Sequence, residues 1–522
     1  MRGGGWCIHG REMARAEYDI PAADGQVRIA PPAEELPELA RANAALRASY
    51  EFRIGDVPAA TLARQIRADC IRLAGDYTRS LGAETPSRPF DLVIATGHQP
   101  VLPHPGIWLK NHLAWRVAQA AGGMGLNFVV DNDTVDLRAI RVPVETGAGP
   151  EVRAVPFIDC PSGVTAEEMP ARARDTAPAA ALAEVARLAG SALDHTLADE
   201  FAAAAEPSNS LVDLITRPRR RIEGRFGVHN LELPVGRLAE TDGFRAFFAH
   251  IVDNAERFVE VYNAALDRHR AEHGITNPVD PVPNLRRHGR GLEVPFWAWR
   301  AGEPRGPILV EPGGGAGRLH EEGLKIRPRA LAMTMFFRLL CCDLFIHGMG
   351  GARYEPVNDA IIREFFGVEP PAYGTASATL RVRPRTAPPR AGDVAELRQR
   401  LRRMRATPER FVDELLPDDP EARELAGRRT ALRQPAGATK RERRAAFREA
   451  KSAASQLQER LAPHILAVEK ELARAERLGA VWTALADRTF PFFLHSRAAL
   501  DRLYALPALR QARDETAQDP RP

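Results

Sequence analysis

The chain has 522 residues, 44% of them hydrophobic, which is long enough for about two to four domains with a full-sized core. Its 72 basic and 68 acidic residues leave a net charge of +4, an excess too mild to indicate a nucleic-acid-binding protein. No run of about 18 consecutive apolar residues is present, so no membrane span is expected. The opening residues MRGGGWCIHGRE lack an apolar segment of signal-peptide length, which predicts a cytoplasmic protein with Met1 or Met13 as its start.

The five cysteines form neither a CxxC pair nor a Cys/His pair at zinc spacing. This pattern indicates neither a disulfide scaffold nor a structural zinc site. Cys341 and Cys342 lie in an apolar stretch, and we predict that they are buried and unreactive.

Residues 1–85 are predicted to be irregular at first and then helical, with a helix over about 58–82 that ends at a glycine. The run DLVIATG, which stops at Gly97, is typical of a strand buried on both faces. A helix over Ile107–Ala121 and a second buried strand, LNFVVDND, follow it. Strand, turn, helix and strand form a βαβ unit and predict a parallel sheet.

We assign residues 86–385 to this α/β core, with an insertion over about 150–320. The insertion is predicted to hold Ala-rich helices over 165–206, a basic loop over 216–227, a strand in LELPVGRL, one long helix over Phe244–His273, and strands in LEVPFWAWR and PILV. After an apolar helix over Arg329–Leu340, the segment CDLFIHGMGGARYEPVNDAIIREFFG repeats the order of strand, glycine turn and helix, and stops at Gly367.

Residues 386–487 are predicted to form a helical coiled-coil arm. Apolar residues recur there at coiled-coil spacing, namely Val394, Leu397, Leu401 and Met404, and later Phe447, Ala450, Ala454, Leu457, Leu461, Val468 and Leu472. Thr407 should cap a helix, and Pro463 should bend the second arm helix. The aromatic tail, residues 488–522, is expected to pack on the core.

The stretch ATGHQPVLPHPGIWLKNHL has the composition of a phosphate-binding turn. Gly97 and Gly106 allow close backbone approach, and the following helix would point its N-terminus at an anion. His98 and His104 can donate hydrogen bonds, and Lys110 can stabilise negative charge. His104-Pro105-Gly106 matches part of the turn of class I nucleotidyl transferases. The alternative is a stiff turn whose histidines are surface caps.

Two further segments carry similar chemistry. In HGMGGARYEPVND, residues 347–359, a glycine turn again separates a strand from a helix, and Arg353 and Tyr354 add an anion clamp and a stacking surface. Asp131, Asp133 and Asp136 end the second strand and would hold Mg²⁺, an amine or a ribose, or else cap a turn.

Weaker candidates have simpler structural explanations. Arg217 and Arg219–Arg221 would bind a carboxylate or form a solvated loop, and Trp297 and Trp299 would stack a base or pack at an edge. The basic run 440–451 would touch nucleic acid or line the wet face of a coiled coil.

The order of these parts resembles the bacillithiol biosynthesis cysteine-adding enzyme (BshC) family. That family has a TGQQ-x-G turn, a Gly-Pro-aromatic helix start with a lysine one turn on, an acidic strand end of the Glu-Asp-His-Asp type, a later Gly-Gly segment and a coiled-coil arm. The matching positions here are Thr96-Gly97-His98-Gln99, Pro105-Gly106-Ile107-Trp108, Lys110, Asp131-Asn132-Asp133, and Gly350-Gly351 through Glu355. His98 replaces a glutamine, the glycine and proline are reversed, and the acidic motif lacks its histidine.

The resemblance implies a Rossmann-like core, a nucleotide site, a dimerising coiled coil and the joining of cysteine to the amine of glucosaminyl-malate. We therefore predict an α/β ligase that forms an amide bond on a small polar substrate, with ATP or ADP and Mg²⁺ as candidate cofactors. His98, His104 and Lys110 are the predicted catalytic residues, with His98 as the favoured general base. The predicted binding residues are Thr96, Gly97, Gln99, Gly106, Trp108, Asn111, Asp131, Asp133, His347, Gly348, Gly350, Gly351, Arg353, Tyr354 and Glu355.

Two alternatives remain open from the sequence. One is a nucleotidyl transferase of the class I synthetase type. The other is a non-enzymatic nucleotide- or RNA-binding protein, although the modest net charge makes nucleic acid an unfavoured partner.

Overall fold

A six-stranded sheet lies at the centre of the computed structural model, which describes residues 20–85, 90–147, 149–171, 177–280, 282–313, 323–386, 392–432 and 439–505. The chain divides into two compact units. The α/β unit comprises residues 1–144, 153–383 and 488–522, and the helical unit comprises residues 145–152 and 384–487.

The strands are β1 (Val27–Ala30), β2 (Arg53–Ile54), β3 (Val57–Pro58), β4 (Val93–His98), β5 (Met124–Val129), β6 (Ala139–Thr146), β7 (Gly149–Pro156), β8 (Leu231–Pro234), β9 (Arg287–His288), β10 (Gly291–Arg300), β11 (Gly306–Val310), β12 (Leu324–Pro328), β13 (Leu344–His347) and β14 (Gly374–Ala378).

The α-helices are α1 (Leu36–Ala48), α2 (Ala59–Ser80), α3 (Pro105–Ala121), α4 (Pro178–Ala192), α5 (Ala198–Ala204), α6 (Leu211–Arg225), α7 (Val235–Leu238), α8 (Asp242–Asp253), α9 (Ala255–His273), α10 (Ala330–Phe336), α11 (Met349–Ala352), α12 (Glu355–Ile361), α13 (Asp393–Ala406), α14 (Val412–Leu415), α15 (Pro420–Leu432), α16 (Lys440–Arg460), α17 (Ala462–Leu485) and α18 (Arg497–Tyr504). Short 3-10 turns cover Ala33–Glu35, Ala166–Glu168, Pro408–Phe411 and Phe492–Leu494, and π-helical segments extend α10 and α12 over Phe337–Cys341 and Ile362–Phe366.

The central sheet has the order β1-β14-β13-β4-β5-β8. Every neighbouring pair in it is parallel except β1 with β14, so the sheet is mixed but mostly parallel. Along the chain, β4, β5 and β8 build the sheet in one direction, whereas β13 and β14 build it in the other. The order therefore reverses between β4 and β13, and in open α/β sheets ligands bind at the strand ends beside such a reversal.

The predicted βαβ unit is present. β4 and β5 pair from Val93 with Met124 to His98 with Val129. α3 begins at Pro105. Proline is tolerated there because the N–H groups of the first helical turn have no partner within the helix, so the missing N–H costs no hydrogen bond. The helix ends at Gly122, whose φ of +73° is the left-handed conformation that glycine adopts without steric cost.

The prediction of a basic loop over 216–227 is wrong, because most of that segment lies in α6. Ser210 caps this helix by accepting the N–H of Asp213, and Pro218 lies inside it. An interior proline costs roughly 3 kcal/mol in an isolated helix, so tertiary contacts must hold α6 together.

Those contacts centre on Arg219, whose guanidinium is buried between two carboxylates. It donates to Glu223 at 2.8 Å and to Glu232 at 2.7 Å, and both carboxylates are fully buried. Burial raises the pKa of Glu223, but Arg219, Arg220 and the Asn111 amide outweigh burial and hold that pKa below its ordinary value. Arg219 and its two carboxylates thus form an internal ion cluster, where the sequence predicted a solvated basic loop.

One predicted long helix over Phe244–His273 is also divided. α8 and α9 meet at Asn254, whose φ of −111° and ψ of 27° lie outside the helical range.

A second sheet contains the predicted strands LEVPFWAWR and PILV. In it β10 lies between β11 and β12, and β9 pairs with β10.

In the helical unit, α13 packs on α17 and α15 packs on α16. Leu401, Met404, Leu461 and Val468 share one apolar cluster, whereas the predicted seam residue Phe447 is 69% exposed. Pro463 starts a new helix instead of bending one, because α16 ends at Arg460 and α17 begins at Ala462.

The described part of the tail, residues 488–505, contacts the rest of the α/β unit. Phe492 stacks on Trp108 with ring centroids 4.0 Å apart, and the Tyr504 hydroxyl donates to the Pro105 carbonyl. Within the described residues, no helix combines the length and apolar character needed to cross a membrane.

We predict that Arg219→Met destabilises the protein by about 3–5 kcal/mol, because it leaves Glu223 and Glu232 buried without their cation. Arg221→Met is the matched control on the same helix, since Arg221 is partly exposed and pairs with Glu206. Its cost should stay within about 1 kcal/mol. Urea unfolding measures both values, and equal costs would show that the buried cluster is not special.

Candidate functional site

The two glycine-rich turns predicted from the sequence lie side by side. β4 and β13 pair in parallel, with Thr96 opposite Ile346, and the Thr96 hydroxyl donates to the Ile346 carbonyl at 2.9 Å. The turn after β4 and the turn after β13 therefore leave the sheet at the point where the strand order reverses. We call this region, defined by Gly97, His98, Lys110, His347 and Gly348, the switch-point crevice.

Lys110 is a buried cation in this crevice. α3 carries it back over the end of β4, where its Nζ donates to the Gly97 carbonyl at 2.7 Å. Only 3% of the residue is exposed, and burial alone lowers the pKa of Lys110 to about 8. In the described part of the chain no carboxylate pairs with it. A protonated amine held in this way is electrostatically complementary to an anion.

Gly348 lies against the same side chain. A Cβ on Gly348 would sit 3.9 Å from the Cδ and Cε atoms of Lys110. Lys110 thus connects the first turn with the second, as the topology predicted for the ends of neighbouring strands.

His98 is poorly suited to the predicted role of general base. Burial, followed by the charge of Lys110, lowers the pKa of His98 to about 3. Its Nδ1 lies 3.2 Å from the Gln99 carbonyl. A neutral imidazole with so low a pKa can donate a hydrogen bond in the crevice, but it accepts a proton weakly near neutral pH.

His347 ends β13 and is also neutral. Burial, Arg338 and Lys110 hold the pKa of His347 well below its ordinary value. Its Nε2 lies 3.5 Å from Glu355, which forms a buried ion pair with Arg338. The carboxylate of Glu355 is therefore already paired with a cation inside the protein.

The rest of the second turn is open. A Cβ on Gly350 would meet nothing within 4 Å, and a Cβ on Gly351 would come within 3.3 Å of His347 Nδ1. Arg353 is exposed, and Tyr354 is half-buried against the main apolar core. Backbone on this side of the crevice is thus accessible to a ligand.

Gln99 and Asp133 meet, as neighbours at the ends of β4 and β5. The Gln99 amide donates to Asp133 Oδ2 at 3.0 Å, and Arg305 pairs with Asp133 Oδ1 at 2.7 Å. Asp133 therefore connects three segments of protein. Asp131 points elsewhere, into a separate cleft beside Gly236.

Four other predicted residues, His104, Gly106, Trp108 and Asn111, surround the start of α3. His104 Nδ1 accepts the Gly106 N–H, which is the capping role weighed as the alternative. A Cβ on Gly106 would lie 2.2 Å from the Ala378 carbonyl, so this glycine is required by protein packing. Trp108 and Asn111 both donate to Glu223 inside the protein.

The cavity beneath the first turn is small. It is lined by His98, Gln99, Trp108 and Asn111 among others, and its volume of about 20 Å³ suits about one water molecule. A larger ligand would have to approach the crevice from the open side formed by the second turn.

No group of three or more His, Cys, Asp or Glu residues within the described ranges is arranged to hold a metal ion. The candidate tryptophans are engaged as well. Trp299 donates to Glu168, and the guanidinium groups of Arg305 and Arg329 both lie over the ring of Trp297. Sequence reasoning missed Glu167 and the arginines Arg327 and Arg338, whose burial no local pattern signals.

Replacing Lys110 by methionine should stabilise the protein at pH 7. The pKa falls from 10.5 to about 8 on folding, a cost of about 3 kcal/mol while the amine is charged. That cost applies fully below pH 8 and disappears as the pH rises towards 10.5, so the advantage of Lys110→Met should shrink over that range. Lys470→Met, at an exposed site, is the control. Unfolding free energies measured from pH 7 to 10.5 test this, and a constant difference would contradict it.

No protein-family model matches the chain, and a search of curated proteins returns no significant match.

Proposed function

We propose that this protein is a ligase-like enzyme that binds a phosphate-bearing nucleotide in the switch-point crevice and forms an amide bond on a small polar amine. The single observation that carries the proposal is Lys110, a buried ammonium with no carboxylate partner in the described residues, between two glycine turns. A phosphate there would supply the missing negative charge and offset the cost of burial.

The topology supports the same site. We propose a Rossmann-like architecture for the core. The support is the spatial order of its parallel strands, which is β8, β5, β4, β13 and β14, with the reversal between β4 and β13. Nucleotides bind such sheets where the strand order reverses. His98 and the backbone of Gly350 and Gly351 would add hydrogen bonds to the ligand, and Arg353 would add charge.

The amide-forming activity rests on the resemblance to the BshC family, which joins cysteine to glucosaminyl-malate. ATP or ADP is the proposed nucleotide. Mg²⁺, if used, would arrive with the nucleotide phosphates, because the described residues contain no ready metal cluster. We further propose a cytoplasmic homodimer formed through an antiparallel coiled coil in the helical unit.

A nucleotide-binding screen by thermal shift tests the proposal. At 100 times Kd a ligand stabilises a protein by ~2.7 kcal/mol, which raises Tm by a few degrees or less. ATP or ADP should stabilise the wild type, and Lys110→Met should lose that response although it is the more stable protein. Gly350→Ala should also weaken the response, because its methyl group occupies open space next to the backbone.

Lys470→Met controls for loss of a lysine and should respond like the wild type. Nucleotide binding should also weaken above about pH 8, because Lys110 of the unliganded protein loses its proton there. An unchanged response in Lys110→Met, or no response in the wild type, would contradict the proposed nucleotide site.

The reaction type needs a separate measurement. If the protein releases pyrophosphate from ATP without an amine acceptor, it is a nucleotidyl transferase and not a ligase.

A further inference from the structure

The basic run over residues 440–451, KRERRAAFREAK, has no part in the proposed nucleotide site. It holds six of the chain's 72 basic residues and two of its 68 acidic residues. The remaining 66 basic and 66 acidic residues balance, so the net charge of +4 equals the charge of this one segment. A mild average over the chain therefore conceals a concentrated local charge.

The run forms the first half of α16, in the helical unit. Both of its acidic residues are bonded within the protein. Glu442 closes a capping box with Thr439 at the start of the helix, and Glu449 accepts a hydrogen bond from Arg428 of α15 at 2.9 Å. Within the described residues, none of the six basic side chains of the run forms an ion pair. Their charge is therefore not neutralised there.

Four of the basic residues surround an aromatic ring on one face of α16. Intervals of three or four residues place side chains on the same side of a helix, and such intervals relate Lys440, Arg444, Phe447, Arg448 and Lys451. We call these five residues the basic face. All five are exposed, and Phe447, at 69%, is more exposed than any other large apolar side chain in the described part of the chain.

The basic face is open to a partner because α16 packs through its other side. Ala453 and Leu457 share an apolar cluster there with Ala422 and Leu425 of α15. A rise of 1.5 Å per residue makes the basic face about 16 Å long, with cations four residues apart separated by about 6 Å along the axis. Such a row of unpaired cations is complementary to a chain of phosphates.

The ring among the cations distinguishes between anionic partners. A membrane-surface helix needs a broad apolar side, whereas Phe447 is the only large apolar residue of the basic face. A second copy of the chain would bring like charges together. Unpaired bases stack on exposed aromatic rings while their phosphates contact nearby cations, and the loops and single strands of RNA present such bases.

We propose that the basic face of α16 binds single-stranded RNA. Its four cations contact phosphates, and one base stacks on Phe447. Because a duplex hides the faces of its bases, the contact selects unpaired segments. Binding is independent of base sequence, since phosphates and a flat aromatic face are common to all nucleotides. This activity is separate from the proposed nucleotide site and does not depend on it.

Fluorescence anisotropy of the full chain with a labelled oligouridine RNA of about 20 nucleotides tests the charge contacts. Four phosphate contacts predict that log K falls against log salt concentration with a slope of about −3. Arg444→Gln combined with Arg448→Gln removes two contacts and should reduce the size of that slope by about 1.4.

The matched control removes the same charge from the same unit away from the basic face. It combines Arg398→Gln with Arg405→Gln, because these exposed arginines are already paired with Glu476 and Glu469. The control should leave the salt slope unchanged.

Phe447→Leu tests the stacked base, because it keeps an apolar side chain but removes the aromatic face. It should weaken oligouridine binding at least about fivefold without changing the salt slope, and Phe447→Tyr should bind like the wild type. Binding of an RNA duplex of the same length should not respond to Phe447→Leu. Since the side chain is exposed, both variants should keep the Tm of the wild type.

The proposal is overturned if oligouridine does not bind, if the paired-arginine control lowers the slope as much as the basic-face variant, or if Phe447→Leu binds normally. It is also overturned if polyglutamate or phosphatidylserine vesicles bind as tightly as oligouridine, since the face would then suit an acidic protein or a membrane. Lys110→Met should bind oligouridine like the wild type, so the basic face and the nucleotide site succeed or fail separately.

Discussion

The α/β unit depends on the buried pairing of Arg219 with Glu223 and Glu232. Arg219 lies on α6 and Glu232 on β8, so one guanidinium joins the helix to the strand it precedes. Glu223 also accepts from Trp108 on α3, and Glu232 from Asn127 on β5. Two carboxylates and one arginine thus hold two helices and two strands of the same sheet, and removing Arg219 would leave both carboxylates buried without their cation.

The same constraint explains how charge is distributed at the sheet's carboxyl edge. Glu355 is paired with Arg338, Asp133 with Arg305, and Glu167 with Arg327. Against this background of internal pairs, Lys110 is distinctive, because it is buried and no carboxylate in the described residues pairs with it. Desolvation shifts the pKa of Lys110 down and that of Asp131 up, both towards neutrality. Groups perturbed in this way concentrate at functional sites.

The two positions also have different neighbours. Lys110 lies between the turns after β4 and β13, whereas Asp131 and Glu167 both pack against Gly236. Five strands of the central sheet, β8, β5, β4, β13 and β14, run parallel, so their carboxyl ends lie along one edge.

The sequence by itself determined the βαβ unit and the helix ends at Gly122 and Gly367, and it allowed the meeting of the turns after β4 and β13 to be inferred only from the expected strand topology. These follow from local signals: apolar runs, glycine in the left-handed conformation, and the rule that parallel strands deliver their ends to one edge. Only the tertiary structure decided that the arginine run 217–221 lies in a helix, that Trp108 is core, and that His98 is a weak base. Each of those outcomes depends on burial and on contacts that the fold creates, such as the one between Trp108 and Glu223. No local pattern of residue types encodes the desolvation that sets them.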